Sequence, residues 1–408
     1  MVNDDIDTIR LEVRDWLKSH TQGSRPRVQW MKEVLASGWA CPSWPKTWYG
    51  KEFSLEVSWA VVEEFSEARE VGAGQDLVNI PACTFFTFGT EELKKEWLIK
   101  LLTGEVLNSL LYSEPGAGSD LASLQTRAEL KGDNWIIDGQ KVWTSGALSA
   151  DYALLAARTN WDVPKHRGIT LFWCPLRQDG VEIRPIRQIT GESDFNEVFL
   201  TNVKIPSGSV VGAVDDGWTV LRGALAVERV MISTTKAINV ASASLSGRKV
   251  DSGGLGKLPN PEVLFNLAKR CGNNTDPFVR DALVKFYSLH RVNQWNTLRA
   301  QTESKRGPSP PIASLSKLAM SRLQHYAAHV ESMIADTEGL LDAPDSSVGH
   351  SALAHSLSAF MASIAGGTDQ IQRNVIGENV LNLQREPEVD RNRPFREVRK
   401  PFSSTTGK

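Results

Sequence analysis

The sequence predicts an α+β fold in three parts: a helical N-terminal domain, a middle β domain and a C-terminal helical bundle. Two observations carry this. Apolar residues recur every three to four positions before about residue 107 and again after about 217, the period of helices with one buried face. Between those limits the texture changes to short apolar runs bounded by turn residues, the pattern of strands. The order is helices, strands, helices, not the β-α alternation of a doubly wound sheet. The expected domains are residues 1–107, 108–216 and 217–408.

In the first domain Ile6, Ile9, Val13 and Leu17 follow Asp4 and Asp5, which suit a helix start. Further helices are expected near 55–69, with Val57, Ala60, Val61 and Phe65 on one face, and near 91–102. The aromatic, Pro-rich run Gly38-Trp39-Ala40-Cys41-Pro42-Ser43-Trp44-Pro45 reads as a loop. Strands are expected at 124–130, 135–137, 141–144, 152–157, 169–173 and 198–205, with Gly132-Asp133-Asn134 turning a hairpin between the first two. C-terminal helices are expected near 217–246, 278–303, 312–337, 351–364 and 369–382. They are broken at 247–261, at Gly307-Pro308-Ser309-Pro310-Pro311 and at 344–349. The last twenty residues, rich in Arg, Pro and Ser, read as a tail.

With 41% apolar residues in 408, the chain can bury sizeable cores in two or three units. A net charge of -2 offers no basic stripe for nucleic acid. Cys41, Cys83, Cys174 and Cys271 stand apart, with no C-x-x-C spacing, which fits a reducing compartment and argues against a zinc site. The acidic N-terminus lacks an apolar signal core and no run approaches 18 apolar residues, so a cytoplasmic protein without a membrane span is expected. The sequon at Asn273 then has no use.

Three motif-like patterns fail. Gly116-Ala117-Gly118-Ser119-Asp120-Leu121 starts like a dinucleotide fingerprint, but Leu121 replaces the third Gly and strands follow instead of a helix. Around Gly253-Gly254-Leu255-Gly256-Lys257-Leu258 the first Gly of a phosphate loop would fall at Asp251, and Leu258 replaces the Ser or Thr that binds magnesium. His325 and His329 have zinc spacing without the Glu of H-E-x-x-H, so no metal is expected.

Four segments, in order, carry a resemblance: Ser113-Glu114-Pro115-Gly116-Ala117-Gly118-Ser119-Asp120; Asn134-Trp135-Ile136-Ile137-Asp138-Gly139-Gln140-Lys141-Val142-Trp143-Thr144-Ser145-Gly146; Phe195-Asn196-Glu197-Val198-Phe199-Leu200 with Val203-Lys204-Ile205-Pro206; and Gly366-Gly367-Thr368-Asp369-Gln370-Ile371-Gln372-Arg373-Asn374. The chain resembles the acyl-CoA dehydrogenase family, whose α–β–α order agrees with the one read from periodicity. The resemblance implies FAD as cofactor and an acyl-CoA thioester as substrate. It implies that Tyr112, Ser113 and nearby amides meet the pyrimidine edge, that Trp143 packs on the ring and that Ser145 lies near N5. It further implies that Gly116, Gly118 and Ser119 approach the pyrophosphate, and that Thr368 and Gln370 reach the flavin of a neighbouring subunit. An oligomer and an electron-transfer flavoprotein acceptor follow.

The implied reaction is α,β-dehydrogenation. A carboxylate removes the α proton while the β hydrogen leaves as hydride, and positioned donors polarise the thioester carbonyl. One branch of the family carries the base just before the C-terminal Gly-Thr, where this chain has Gly366. Gly366 can offer its N–H to the carbonyl but cannot take a proton. A second branch carries the base on the first long helix after the β domain, followed by Arg, and here Glu228-Arg229 stands in that place. Glu228 is therefore the expected base and Arg229 a fixed charge near flavin or substrate. Read alone, the pair would be a solvated helix face.

Two departures narrow the branch. The family's Arg-x-x-Phe-Gly loop is replaced by residues 247–261 and by Cys271-Gly272-Asn273-Asn274-Thr275-Asp276-Pro277, with Arg280 as a candidate for the missing charge. The Gly-Gly motif before 344–349 is also missing. Both resemble the bacterial branch acting on bulky or steroid-derived acyl-CoA thioesters, often as α2β2 tetramers; a homotetramer acting on medium or branched chains competes. A catalytically silent partner subunit would be expected to lose Glu228 or the flavin loop. An oxidase or flavin monooxygenase on the same fold would differ in how reduced flavin meets oxygen.

Overall fold

The structure is a computed structural model that describes residues 5–21, 25–233, 260–304, 313–341 and 347–398. Among them, the chain through Val227 and the segment from Glu386 onward form one compact unit, and the chain from Glu228 to Arg385 forms another.

The first unit opens with helices α1 (Ile6–His20), α2 (Arg27–Ser37), α3 (Leu55–Glu67), α4 (Gln75–Val78), α5 (Ile80–Phe88) and α6 (Glu91–Thr103). Their starts are written locally. Asp5, Ser54, Asn79 and Thr90 each accept a first-turn N–H on the side chain, satisfying a donor the helix leaves over. Buried Glu64 ties α3 to α1, accepting from Arg10 at 2.7 Å and Arg14 at 2.5 Å. The sequence did not predict α2 or α5. The run Ile80-Pro81-Ala82-Cys83-Thr84-Phe85 is buried almost all round, so α5 has no polar stripe from which to read a period.

One eight-stranded sheet follows: β1 (Asn108–Leu111), β2 (Arg127–Lys131), β3 (Asn134–Ser145), β4 (Tyr152–Arg158), β5 (Ile169–Pro175), β6 (Val181–Ile186), β7 (Phe195–Pro206) and β8 (Val210–Val211). The order is β6-β7-β3-β2-β4-β5-β8, with β1 parallel to β4. The hairpin turn falls where it was expected, with Lys131 opposite Asn134. The two short runs expected at 135–137 and 141–144 are one strand, β3, and the strand expected from 124 starts at Arg127 after a 3-10 turn at Leu121–Ser123. Short β1 and exposed β6 were not expected, since neither carries a long apolar alternation. Ile137, Leu155, Phe172, Val198, Val203 and Ile205 form the heart of the sheet's core. On the helical side, the Trp173 ring stacks on Tyr152 at 5.2 Å and meets Phe85 at 5.1 Å and Trp97 at 5.6 Å. That aromatic seam holds α5 and α6 on the sheet.

The end of the chain corrects an expectation. Residues 389–398 are not a free tail. Phe395 is 2% exposed. Its N–H donates to Val163 O at 2.9 Å, and the Arg396 N–H donates to Trp161 O at 3.0 Å. One anchoring aromatic in a polar segment leaves no periodic signal.

Helix α7 (Gly217–Ser233) follows the sheet; its expected continuation to 246 lies outside the described residues. The second unit contains α8 (Pro261–Arg270), α9 (Pro277–Ser304), α10 (Ala313–Ala335), α11 (Ser347–Ala362) and α12 (Asp369–Asn379). Here α8, capped by Asn260 with Pro261 in its first turn, was not expected. Leu267, Leu283, Phe286, Leu323, Val330 and Ile334 form the core. Among the described residues no helix is long and apolar enough to cross a membrane.

Candidate active site

Strand β1 delivers the chain to the segment Tyr112–Asp120. The turn closes on itself: Glu114 N–H donates to Ala117 O at 3.0 Å and Ala117 N–H returns to Glu114 O at 3.1 Å. Gly116 and Gly118, on its outer side, have open space where a side chain would begin. The Glu114 carboxylate points inward and is buried. It accepts from the Gln125 and Thr126 N–H groups at 2.7 and 2.8 Å and from Lys141 Nζ at 2.8 Å. Lys141, fully buried on β3, also donates to Tyr112 O at 3.0 Å. Burial works against the charge on Glu114, but the Lys141 ammonium and the two N–H groups outweigh it and hold the carboxyl below its ordinary range.

A second buried cation braces the far end of the segment. Arg158 donates to Leu124 O at 3.1 Å and Ala122 O at 2.6 Å, and its guanidinium lies 3.6 Å from the centre of the Phe395 ring. Burial lowers its pKa to about 10, which leaves it charged at neutral pH. Neither cation was singled out from sequence. The available signal was a charged residue at the inward position of an apolar strand, Lys141 before Val142 and Arg158 after Ala156-Ala157.

The segment is stitched to β3 by Val142 N–H donating to Ser113 O at 3.0 Å. One residue on, the β3–β7 register breaks between Lys141 and Thr144, and Trp143 sits in the bulge with φ +61°. A bulky residue in the left-handed region carries strain and is held there by its surroundings. Thr144 Oγ1 donates to Asn196 O at 2.7 Å, and Asn196 Nδ2 donates back to Thr144 O at 2.8 Å. Trp143 therefore stands out at 60% exposure, its edge against Phe195 at 6.2 Å. Ser145 is exposed two residues on, and the Ser109 hydroxyl donates to its carbonyl at 2.9 Å. Of the residues expected to meet the flavin, Tyr112 is buried, Ser113 is half-buried, and Gly118, Ser119, Trp143 and Ser145 are exposed.

Glu228 lies on α7, four residues beyond buried Ala224, and is half-buried. The side chain of Arg229 lies outside the described residues. In the second unit, Gly366 and Gly367 adopt φ +64° and +87°, a left-handed turn that glycine enters without steric cost. Gln372 Nε2 donates to Gly366 O at 3.0 Å. The Thr368 hydroxyl caps α12, accepting the Ile371 N–H at 3.2 Å, and Gln370 is exposed. The capping role of Thr368 was not foreseen and leaves its O–H free to donate elsewhere. Behind this turn, His325 Nε2 lies 2.7 Å from Ser363 Oγ, and the Ser321 hydroxyl donates to Asp369 at 3.0 Å.

Two family models match the chain: the acyl-CoA dehydrogenase N-terminal domain at residues 6–105 and the acyl-CoA dehydrogenase middle domain at residues 109–203. The acyl-CoA dehydrogenase IpdE1 of Mycobacterium tuberculosis (strain ATCC 25618 / H37Rv) is 32% identical over 403 residues, covering 94% of this chain and 99% of that one. The chain belongs to the acyl-CoA dehydrogenase family. Acyl-CoA dehydrogenase FadE34 of the same organism is 35% identical over 351 residues, 86% of this chain and 45% of that protein. Among solved structures, the Tcur3481-Tcur3483 steroid ACAD is 25% identical with a TM-score of 0.71, covering 95% of this chain and 99% of that chain. The helical, sheet and helical order of this chain is that of its fold neighbours.

Proposed function

We propose that this acyl-CoA dehydrogenase binds FAD and converts an acyl-CoA thioester to the 2-enoyl-CoA, acting on a bulky, branched or steroid-derived acyl group in the cytoplasm. The observation that carries the reading is the strained, outward Trp143 beside the open Gly116–Gly118 turn. These residues fit a flavin. Trp143 offers a flat apolar face, Ser113 and Ser145 offer hydroxyls, and the open glycines let a phosphate reach backbone N–H groups.

The flavin supplies the hydride acceptor that no side chain can provide. The chain supplies the rest. Glu228 takes the α proton; apolar neighbours Val227 and Val230 suit a base kept from bulk water. The Gly366 N–H donates to the thioester carbonyl and stabilises the charge that develops as the α proton leaves. Arg229 adds a fixed positive charge, and Thr368 and Gln370 bind a neighbouring subunit's flavin.

The substrate class is supported by relatives: the similar solved structure is a steroid ACAD, named for two components, Tcur3481 and Tcur3483. Assembly with a second chain is supported by α9, which exposes Val284, Val292, Trp295 and Leu298, each 48% or more. An electron-transfer flavoprotein is the expected acceptor. The test is optical. Purified protein, alone or with a homologous partner subunit, should carry flavin absorbance that bleaches anaerobically when acyl-CoA thioesters are added. Colourless protein, or flavin no acyl-CoA reduces, overturns the reading. Hydrogen peroxide formed in air would mark an oxidase instead, and an FAD-to-chain ratio near one half would mark the mixed assembly.

A further inference from the structure

From Glu386 the chain rejoins the first unit, and residues 386–398 form a strap on the loop between β4 and β5. Two backbone bonds hold it there: Phe395 N–H donates to Val163 O at 2.9 Å and Arg396 N–H to Trp161 O at 3.0 Å. The Arg396 guanidinium donates to both oxygens of Asp162, at 2.5 and 2.6 Å.

Two cations carry the strap's grip to the exit of the Tyr112–Asp120 turn. Arg158, against the Phe395 ring, donates to Ala122 O, Leu124 O and Lys165 O at 2.6, 3.1 and 3.2 Å. Lys165 then bridges strap and turn with its side chain. Its Nζ lies 2.6 Å from Glu388 Oε1 on the strap and 3.1 and 3.0 Å from the two Asp120 oxygens on the turn. The Lys165 side chain is 12% exposed, that of Asp120 56%. Burial works against the charge on Lys165, but the hydrogen bonds to Glu388 and Asp120 outweigh it and raise its pKa. Asp120 directly follows Ser119, so an anionic pyrophosphate at that turn would meet its carboxylate as a like charge. An ammonium held on Asp120 cancels that repulsion.

We propose that Lys165 is a positioning residue of the flavin site: it neutralises Asp120 beside the pyrophosphate turn, and the C-terminal strap holds it there, so that strap docking and flavin binding stabilise each other. This rests on the flavin reading above and extends the site to a segment that touches the turn only through Lys165 and Arg158. The coupling is reciprocal. The factor by which the docked strap tightens flavin binding is the factor by which flavin tightens the strap.

The test reads FAD affinity by fluorescence titration of the full chain, with any partner subunit present, and needs no turnover. At about 0.01 M salt, where charges act over about 30 Å, Lys165→Met should bind FAD about three- to tenfold more weakly than wild type. At about 1 M, where the range is about 3 Å, the two should converge. Lys165→Arg should match wild type. Adding Asp120→Asn to Lys165→Met should restore most of the lost affinity, because the repelling charge is gone. A lysine that merely supports its loop gives neither the salt dependence nor that rescue. Hydrogen exchange reads the other direction: FAD should slow exchange of the Phe395 and Arg396 amides in wild type, and much less in Lys165→Met. Should Lys165→Met fail to fold, Lys165→Gln, which keeps a donor for Asp120 without the charge, takes its place. Low-salt affinity equal to wild type, a loss that Asp120→Asn does not restore, or strap amides indifferent to FAD overturns the proposal and leaves the flavin reading standing. Wild type that takes up no FAD overturns the flavin reading, and the proposal with it.

Discussion

Lys141 Nζ lies 2.8 Å from Glu114 Oε1, with the lysine side chain wholly buried and the glutamate nearly so. The pair stands directly behind the turn on which Gly116 and Gly118 face open space. Its charges are out of water, and the Gln125 and Thr126 N–H groups complete the shell of the carboxylate. The turn is therefore rigid from behind and open in front.

Breaking that pair should be expensive. Lys141→Met leaves a buried carboxylate without its cation and should cost about 3–5 kcal/mol of stability, the usual range for removing one partner of a buried pair. Thermal denaturation reads this directly. A fall in Tm too small to correspond to about 1 kcal/mol would show that the pair does not brace the turn.

The same pair sets an acid limit. The Glu114 carboxyl is held below its ordinary value in the folded chain. Between the folded and unfolded pKa values the unfolded chain binds more protons, so this contribution is complete above about pH 4.3, the unfolded value. It is lost as pH falls from there through the folded value. Urea midpoints should fall in that acid window, and the part due to Glu114 should be missing in Glu114→Gln. An identical acid slope in the variant contradicts the assignment.

Trp143 makes the opposite prediction. It is exposed and sits at positive φ, so its strain serves no packing purpose. Trp143→Gly removes about 1–2 kcal/mol of left-handed strain and adds about 0.5–1 kcal/mol of unfolded-chain entropy. The apoprotein Tm should therefore move by only a few degrees, while flavin affinity drops about two- to tenfold or more through the lost ring contact. Fluorescence titration with FAD measures the second quantity. Unchanged affinity would remove Trp143 from the flavin site.

Phe395 should behave as a core residue although it lies near the end of the sequence. Phe395→Ala should cost about 3–5 kcal/mol and expose the segment after Glu386 to proteolysis, because the ring fills the space over Arg158. Wild-type resistance to limited proteolysis in the variant would show the contact to be dispensable.

The legible parts of this chain were those where one local pattern speaks. Capped, amphipathic α3 and α6 could be read, as could the Gly132 hairpin, because period and turn chemistry lie within a few residues. Helix α5 could not, since a helix buried on nearly every side has no polar face to set the phase. The residues proposed for the flavin loop, and Glu228 as the proposed base, came from motif order rather than from physics. What supports them came from neither. Glu114 and Lys141 are 27 residues apart, and only the register of β3 beside the Tyr112 segment brings them together. Lys165 was invisible for a similar reason: Asp120, 45 residues earlier, and Glu388, near the end of the chain, hold it from two sides.

The central claim is that Glu228 is the base, and one variant tests it most directly. Glu228→Gln keeps the size and polarity of the side chain while removing its ability to take a proton. With flavin content and Tm matched to wild type, anaerobic single-turnover reduction of the flavin by an acyl-CoA substrate should slow by about 10²- to 10⁴-fold. A rate within a few-fold of wild type would contradict the account and send the search for the base elsewhere in the chain.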